Sequence, residues 1–389
     1  MSELLPTLQA GDLQEGLTKY LTTAFALADN DAQLALDDFL AHPVNGIFKG
    51  PYVRLRLPFR PAADGWRDAL DWYEGFPPYG HQAEAFARLS SANLTEEKPR
   101  PLPTLVTTGT GSGKTEAFLN PILDHVLRAK KAGVTGMKAL ILYPMNALAN
   151  DQAKRLTELL TTHAALGGVT AAIYTGQQDT KRTKVSAAGL INDRGIIRDT
   201  APDILLTNYK MLDQLLLRNE DAPLWKQSAL SLQYVVLDEF HTYDGAQGTD
   251  VAMLLRRLGL TLKSHWAEDA RGITDADRAR PLGRITPVAT SATLGDKGDP
   301  AVMLRFAQTV FGDKFDESSV ITETRLGLEE WSATAGSTLL RHGIEVLDVD
   351  ERSLDHLNVA VTRLGALAES SAICRTVLQH LYVDATDLF

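Results

Sequence analysis

The sequence has little cysteine, no long apolar run and no excess of positive charge, and each shortage excludes something. Cys374 is the only cysteine among 389 residues, which excludes an internal disulfide and any zinc site built from several cysteines. No apolar run is long enough to span a bilayer, and no basic segment followed by an apolar one opens the chain. We therefore expect a cytoplasmic protein with no membrane partner.

The charge balance limits the surface that could bind nucleic acid. The net charge is −10, from 39 basic and 49 acidic residues. A protein wrapped in nucleic acid over its whole surface would be basic, because phosphate contacts dominate such binding. A local groove is still compatible with this composition.

Short apolar strands alternate with helices through the middle of the chain, over residues 76–312. Several predicted strands are almost wholly apolar, as expected when helices cover both faces of a parallel sheet. The predicted strands are 104–107, 139–143, 169–174, 204–207, 234–237 and 286–290, and the predicted helices are 116–130, 147–166, 209–218 and 249–262. The fold class is therefore α/β, with ligands expected beyond the carboxyl ends of the strands.

The two ends of the chain have different patterns. Residues 1–75 form an N-terminal accessory segment with a helical pattern over 17–27 and an extended, proline-containing stretch over 51–60. Residues 313–389 are mostly helical by their apolar spacing.

The most informative stretch is TGTGSGKT, which follows a predicted strand and opens a predicted helix. Glycines let the backbone N–H groups turn towards phosphate oxygens, and the helix N-terminus adds partial positive charge. Lys114 can reach the outer phosphates, and the Thr115 hydroxyl can hold Mg²⁺. The predicted phosphate-binding residues are Thr108, Gly109, Thr110, Gly111, Ser112, Gly113, Lys114 and Thr115, with Thr108 standing where the strict P-loop pattern has glycine.

Two further stretches follow apolar strands. Asp238 and Glu239 end the strand 234–237, where the first would face the magnesium ion and the second would act on an attacking water. An acidic turn would be the ordinary interpretation of this pair alone, but the upstream P-loop favours catalysis. Ser291 and Thr293 follow the strand 286–290 and could hydrogen-bond to the acidic pair, although alone they indicate only a turn.

In this order, TGTGSGKT, DEFH and SAT resemble motifs I, II and III of the superfamily 2 DEAD/DEAH-box helicases. The stretch from His241 to Arg257 resembles the Lhr-like and MrfA-like branch, which includes DNA translocases and large helicases of bacterial defence systems. The resemblance covers residues 76–312. It implies a RecA-like ATP-binding domain that uses ATP and Mg²⁺.

The resemblance also implies roles for other residues. Tyr79 to Gln82 resembles the Q-motif, in which Gln82 reads the adenine edge and Tyr79 or Phe76 stacks on the ring. His241 would couple the nucleotide and nucleic-acid sites. Asn146 stands where DEAD-box proteins usually have an arginine. The implied nucleic-acid contacts are Pro144, Asn146, Gly176, Thr207 and Asn208.

A motor of this family needs a second RecA-like domain, which supplies arginine fingers to the ATP site. The sequence after Thr293 shows neither a second P-loop-like sheet nor an arginine-finger motif. We therefore expect the ATP-binding motor domain of a DNA helicase or translocase, weakly active without a second domain or partner chain. The alternatives are a non-motor binding subunit of a defence complex, and a P-loop enzyme of another class such as a nucleotide kinase.

Overall fold

The computed structural model describes residues 6–42, 45–48, 57–92, 94–95, 98–109, 111–176, 180–268, 272–292, 300–327 and 330–331. The chain divides into two compact units: Phe59–Thr324, and a second unit formed by the residues on either side of it. None of the described helices is long and apolar enough to cross a membrane. Most of the stretch 51–60, the helical patterns beyond residue 331, Cys374, Thr110 and Thr293 lie outside the described residues.

The unit that contains the chain's first residues has two described helices, α1 (Pro6–Ala24) and α2 (Asn30–Ala41). The sequence predicts a single helical pattern over 17–27, but α1 ends at Ala24. A new helix begins because the Asp29 side chain accepts a hydrogen bond from the Ala32 N–H and caps α2.

The unit Phe59–Thr324 is built on a sheet whose seven described strands have the order β3-β4-β2-β5-β6-β1-β7. All of the paired neighbours are parallel. The strands are β1 (Thr104–Thr107), β2 (Ala139–Tyr143), β3 (Ala171–Tyr174), β4 (Ile204–Asn208), β5 (Tyr234–Leu237), β6 (Thr286–Ser291) and β7 (Val320–Thr322). All six predicted strands are confirmed, and β7 is an addition.

In this unit, one described α-helix precedes these strands and the others lie between them. They are α3 (Gly80–Leu89), α4 (Lys114–Lys131), α5 (Asn146–Thr162), α6 (Arg194–Asp199), α7 (Tyr209–Leu217), α8 (Ala222–Ser228), α9 (Gly245–Lys263), α10 (Asp275–Ala279) and α11 (Pro300–Phe311). The four predicted helices correspond to α4, α5, α7 and α9. The largest shift in where a helix begins is at α9, which starts at Gly245 rather than at residue 249.

The two faces of the sheet have separate hydrophobic cores, because successive side chains of a strand point to opposite faces. In β2, Ile141 packs with α4 and α5, whereas Leu140 and Leu142 pack with α7, α8, α9 and α11. This three-layer arrangement explains the almost wholly apolar strand sequences. It also leaves the carboxyl ends of the strands as the edge where polar side chains collect.

Candidate nucleotide site and nucleic-acid edge

Three of the sequence motifs meet where the central strands of the sheet end. β5, β6 and β1 are neighbours, and they lead into Asp238, Ser291 and the P-loop respectively. The Thr108 N–H donates to the Ser291 carbonyl at 3.2 Å, which links the P-loop directly to the end of β6. We call the loops after β1, β5 and β6 the inner edge, and the loops after β2, β3 and β4 the outer edge.

The P-loop has the backbone conformation that its glycines predict. Gly111 and Gly113 have φ angles of 81° and 78°, in the left-handed region that side chains other than glycine rarely adopt. A Cβ at Gly113 would lie 2.2 Å from the Gln82 Nε2 atom, so another residue there would have a strained φ and would displace the Gln82 amide. α4 begins at the next residue, Lys114, and its first turn therefore directs N–H groups towards the loop.

Thr108 has a structural role at the glycine position of the strict pattern. It is buried, and its hydroxyl lies 2.6 Å from the Ser112 hydroxyl, which also donates to the Gly109 carbonyl at 2.8 Å. These contacts tie the beginning of the loop to its far side. A small hydroxyl residue therefore supports the loop at this position.

The start of α3 is bound to the P-loop at two points. Gln82 Oε1 accepts a hydrogen bond from the Tyr79 N–H at 2.9 Å, and Gln82 Nε2 donates to the Gly113 carbonyl at 3.1 Å. His81, which is fully buried, lies with Nε2 2.8 Å from the Ser112 carbonyl. Because a carbonyl can only accept, His81 carries its proton on Nε2 here. The adenine-reading role of Gln82 stays a prediction.

A cavity of about 570 Å³ opens beside these residues, between α4, α5 and the segment before α3. Its size is that of a small-molecule pocket. Phe76, which is 91 % exposed, and Tyr79, which is 38 % exposed, present aromatic rings at its wall. Thr115 also lines the cavity, so one pocket runs from the aromatic residues to the P-loop helix.

Asp238 is held at the end of β5 by hydrogen bonds to both neighbouring strands. Its N–H donates to the Leu142 carbonyl of β2 at 3.0 Å, and its Oδ1 accepts a hydrogen bond from the Thr290 hydroxyl of β6. Burial raises the pKa of the Asp238 carboxyl above its ordinary value; the Thr290 hydrogen bond opposes this and the Glu239 carboxylate adds to it. Asp238 is therefore a fixed, poorly hydrated carboxyl.

Glu239 lies between two cationic or potentially cationic side chains. Its Oε1 lies 3.8 Å from Lys114 Nζ, and its Oε2 lies 3.4 Å from His241 Nδ1. The same His241 atom lies 3.3 Å from the Ser291 hydroxyl. Four predicted catalytic residues thus form one chain of contacts, in the order Lys114, Glu239, His241 and Ser291.

The backbone at Glu239 is strained. Its φ of 51° is the one positive value that the described part of the chain shows at a residue other than glycine. Such a conformation costs of order 1–3 kcal/mol and persists where the surrounding contacts hold it. The strain turns the chain sharply after β5, so that Asp238 and Glu239 leave the strand in different directions.

These residues fit a magnesium nucleotide. The glycine-lined cradle, the first turn of α4 and Lys114 match a polyphosphate, and Thr115 and Asp238 offer the oxygen ligands that Mg²⁺ prefers. No group of three or more acidic, histidine or cysteine residues that could hold a metal occurs among the described residues. The ion would therefore depend on phosphate oxygens to complete its shell, as is usual for Mg²⁺ at nucleotides.

The residues predicted to contact nucleic acid follow three neighbouring strands at the outer edge. Pro144 and Asn146 follow β2, Gly176 follows β3, and Thr207 and Asn208 end β4. Gly176 is exposed and Pro144 is partly buried. The structure places all five residues at the carboxyl ends of these three neighbouring strands.

An amide pair connects two of these loops. Asn208 Nδ2 donates to Asn146 Oδ1 at 2.6 Å, and Asn208 Oδ1 accepts from the Met211 N–H at 2.8 Å, which caps α7. α5 begins at Asn146 and α7 at Tyr209, so both helix N-termini face this edge. Their first-turn N–H groups are donors suited to phosphate oxygens.

Thr207 has a different environment from the one its predicted role suggests. Its side chain is fully buried, and its hydroxyl donates to the Tyr174 carbonyl of β3 at 2.6 Å. This hydrogen bond joins β4 to β3. The phosphate contact predicted for Thr207 stays a prediction, and Asn208 is the more accessible of the two.

Three residues that contact the inner edge were not assigned a role from the sequence. They are His81, Thr290 and Glu323, whose Oε2 accepts the Gly109 N–H at 2.7 Å. His81 lies within the recognised stretch from Tyr79 to Gln82 and Thr290 directly precedes Ser291, so their positions in the sequence were the available signal. Glu323 follows β7, and nothing in the sequence pattern placed it beside the P-loop.

Comparison with known proteins identifies relatives among helicases. The family model described as DEAD/DEAH box helicase matches residues 79–298. Druantia protein DruE of Escherichia coli is 25 % identical over 412 residues, covering 77 % of this chain and 21 % of DruE. The ATP-dependent helicase hrq1 of Schizosaccharomyces pombe is 32 % identical over 180 residues, covering 46 % of this chain and 14 % of hrq1.

The chain also resembles solved helicase structures. The helicase MrfA bound to DNA has 23 % sequence identity and a TM-score of 0.46, covering 69 % of this chain and 31 % of MrfA. Mycobacterium smegmatis Lhr bound to ssDNA and AMP-PNP has 20 % identity and a TM-score of 0.40, covering 63 % of this chain and 26 % of Lhr. The chain thus spans about a fifth of the length of DruE and less of hrq1.

Proposed function

Because the chain belongs to the DEAD/DEAH box helicase family, we propose that it is the ATP-binding motor domain of a DNA helicase or translocase. The observation that carries this proposal is the chain of contacts from Lys114 through Glu239 and His241 to Ser291 at the mouth of the P-loop. It joins the P-loop, the loop after β5 and the end of β6 in one hydrogen-bonding and ionic unit. ATP is the nucleotide named in the relatives' helicase activity.

The residues of the inner edge divide the work of ATP hydrolysis. The P-loop N–H groups and Lys114 bind and orient the phosphates, and Glu239 positions the attacking water and takes its proton. Magnesium, when bound, would be held by Thr115 and Asp238 and would neutralise charge on the phosphates. The cavity wall at Phe76, Tyr79 and Gln82 receives the adenine base.

The route from hydrolysis to the nucleic acid passes through His241 and Ser291. His241 contacts Glu239, and Ser291 connects to the P-loop through the Thr108 N–H. At the outer edge, the Asn146–Asn208 pair and the N-termini of α5 and α7 grip strand phosphates. Such contacts carry no sequence information, so we expect binding without strong sequence preference. DNA is the nucleic acid in the MrfA complex, and we extend it to this chain.

A second RecA-like domain, or a partner chain that supplies one, forms the opposing wall of the ATP site in this proposal. Arginine fingers from that wall raise phosphoryl-transfer rates by about 10³–10⁵. The isolated chain therefore binds ATP and hydrolyses it slowly. Robust turnover by the pure chain, stimulated by nucleic acid, would contradict this part of the proposal.

Glu239→Gln tests the proposed function directly. Glutamine keeps the side chain's size but removes the base, so single-turnover hydrolysis of radiolabelled ATP should fall by at least about 100-fold while a fluorescent ATP analogue still binds. Glu268→Gln is the matched control, because Glu268 is exposed and lies on the segment after α9. Unchanged hydrolysis in the Glu239 variant would overturn the motor function.

A second candidate function is a non-motor subunit that binds nucleotide or nucleic acid within a defence complex. The specific observation in its favour concerns three residues predicted to contact nucleic acid. The side chains of Asn146 and Asn208 hydrogen-bond to each other, and those of Thr207 and Asn208 hydrogen-bond to the backbone. In that case the wild-type chain would not hydrolyse ATP. The Glu239→Gln chain would still bind a partner protein or a nucleic-acid strand in a nucleotide-dependent way.

A further inference from the structure

The penultimate residue of β6, Thr290, contacts both members of the acidic pair. Its side chain is fully buried. Its hydroxyl donates to Asp238 Oδ1 and accepts the Glu239 N–H at 3.3 Å. The Thr290 hydroxyl thus donates its single proton to the Asp238 carboxylate, and one of its lone pairs accepts the backbone N–H of Glu239.

Neighbouring strands explain why this contact forms. In the parallel β5–β6 pair, Leu237 lies opposite Ala289, so Asp238 and Thr290 are the next residues on each strand. The Asp238 N–H turns towards β2 and donates to Leu142. The following N–H, that of Glu239, turns towards β6, where it meets the Thr290 hydroxyl instead of a ladder carbonyl.

From these contacts, we infer that Thr290 is a positioning residue of the ATP site, one that fixes the Asp238 carboxylate and the Glu239 backbone together. The inference rests on the proposed function. It assigns to Thr290 a role separate from that of Ser291, which faces His241 and the P-loop. Thr290 thus contacts Asp238 and Glu239, whereas Ser291 contacts His241 and the P-loop.

The effect on Glu239 follows from its backbone strain. A left-handed conformation at a residue other than glycine needs surrounding contacts to hold it. The hydroxyl of Thr290 satisfies the Glu239 N–H, which would otherwise be left without a partner where the strand ends. Threonine suits this task because its branched Cβ restricts χ1 and keeps the hydroxyl in place.

The effect on Asp238 concerns the rotation of its carboxylate. With Oδ1 held by the Thr290 hydroxyl, the group cannot turn freely about its Cβ–Cγ bond. A fixed carboxylate binds a hard cation without first losing side-chain entropy. Loss of the hydroxyl should therefore weaken the magnesium-dependent part of nucleotide binding more than the magnesium-independent part.

Thr290→Val and Thr286→Val form a matched pair on the same strand. Thr286 begins β6, is also fully buried, donates to the Pro101 carbonyl at 2.9 Å and accepts from Gln233 Nε2 at 3.2 Å. Both substitutions remove one buried hydroxyl that makes two hydrogen bonds. They should lower the midpoint of thermal unfolding to a similar extent, but only the first adjoins the ATP site.

The measurement is the affinity of the full chain for a fluorescent ATP analogue, titrated with Mg²⁺ and repeated in EDTA. We expect Thr290→Val to weaken magnesium-dependent affinity by about fivefold, the equivalent of one lost hydrogen bond of about 1 kcal/mol. Affinity in EDTA should stay unchanged. Thr286→Val should keep wild-type behaviour in both conditions, whereas Thr290→Val with wild-type magnesium dependence would overturn the inference.

A second pair keeps the test decisive if valine disrupts folding. Thr290→Ser and Thr290→Ala both lack the methyl group and differ by the hydroxyl alone, so serine should retain magnesium-dependent affinity and alanine should lose it. Equal affinities for these two variants would overturn the inference. The proposed function fails separately, and first, if the wild-type chain shows no magnesium-dependent binding of the analogue.

Discussion

The inner and outer edges end the same parallel sheet, yet they use their side chains differently. At the inner edge, charged or potentially charged groups of the loops after β1 and β5 face one another, with Glu239 between Lys114 and His241. At the outer edge, neutral amides pair with each other, as Asn208 does with Asn146, and a threonine hydroxyl bonds inside the sheet. The contacts at the inner edge are thus between charged or potentially charged groups, and those at the outer edge are between neutral dipolar groups.

This difference matches two kinds of work. Phosphoryl transfer needs charges placed within about 1 Å, because displaced groups lose much of their catalytic effect. A motor that moves along a strand must hold and release many successive phosphates, which dipoles and helix N-termini can do without fixed ion pairs. On this basis, changes at one edge should leave the binding function of the other edge intact.

The largest expected effect is at Lys114. Lys114→Ala removes the cation that reaches the phosphates, so affinity for a fluorescent ATP analogue should fall by about 100-fold or more, since charge-assisted contacts are the strong ones. Affinity for a labelled single-stranded oligonucleotide, measured without nucleotide, should not change.

Lys131→Ala provides the matched control for this variant. Lys131 is the exposed last residue of the same helix, α4, far from the P-loop. It should keep wild-type affinity for both ligands. If Lys114→Ala also abolished oligonucleotide binding, the separation between the two edges would be wrong.

The sequence predicted the sheet well because its strands are buried on both faces and read as apolar runs. It did not predict β7, since Val320–Thr322 is short, lies in a region with helical spacing and is a strand only through its pairing with β1. Such tertiary pairing leaves little local signal.

At the site, residue types could be predicted but contacts could not. Successive residues of a strand face opposite sides of the sheet, and the sequence does not show which of these sides faces the acidic pair. The contact between Thr290 and Asp238 could therefore not be predicted. The burial of Thr207 could not be predicted for the same reason, since its hydroxyl donates to the Tyr174 carbonyl of the neighbouring strand β3. Glu323 reaches the P-loop through β7, which the sequence did not show.

A smaller effect is expected at Asn208. Asn208→Ala removes the hydrogen bond to Asn146 and the cap of α7, and loss of such a cap costs about 0.5–2 kcal/mol. Affinity for single-stranded oligonucleotide should fall several-fold, while affinity for the ATP analogue should stay within about twofold, because distant sites act independently.

Loss of a helix cap elsewhere separates this effect from general destabilisation. Thr274 caps α10, between α9 and β6, where its Oγ1 accepts the Asp277 N–H at 3.1 Å. Thr274→Ala should lower stability in thermal unfolding without weakening oligonucleotide binding. Equal loss of oligonucleotide binding in both variants would show that the outer edge responds to stability and not to its amide pair.

The smallest expected effect is an increase in affinity at Glu323. Its carboxylate accepts the Gly109 N–H at 2.7 Å and so places a negative charge beside the loop that must receive phosphates. Glu323→Gln keeps an acceptor but removes the charge. A repulsion of about 0.5–1 kcal/mol is reasonable for partly exposed charges, so the ATP analogue should bind about two- to fivefold more tightly.

Salt decides whether this gain is electrostatic. Repulsion between partly exposed charges is screened, so the difference between Glu323→Gln and wild type should shrink as salt rises from about 0.01 M to 1 M. Glu317→Gln is the matched control, because Glu317 is exposed and precedes β7. Weaker binding by Glu323→Gln would mean that the carboxylate serves mainly to hold the Gly109 N–H, and that the inner edge tolerates its negative charge because the loop needs the support.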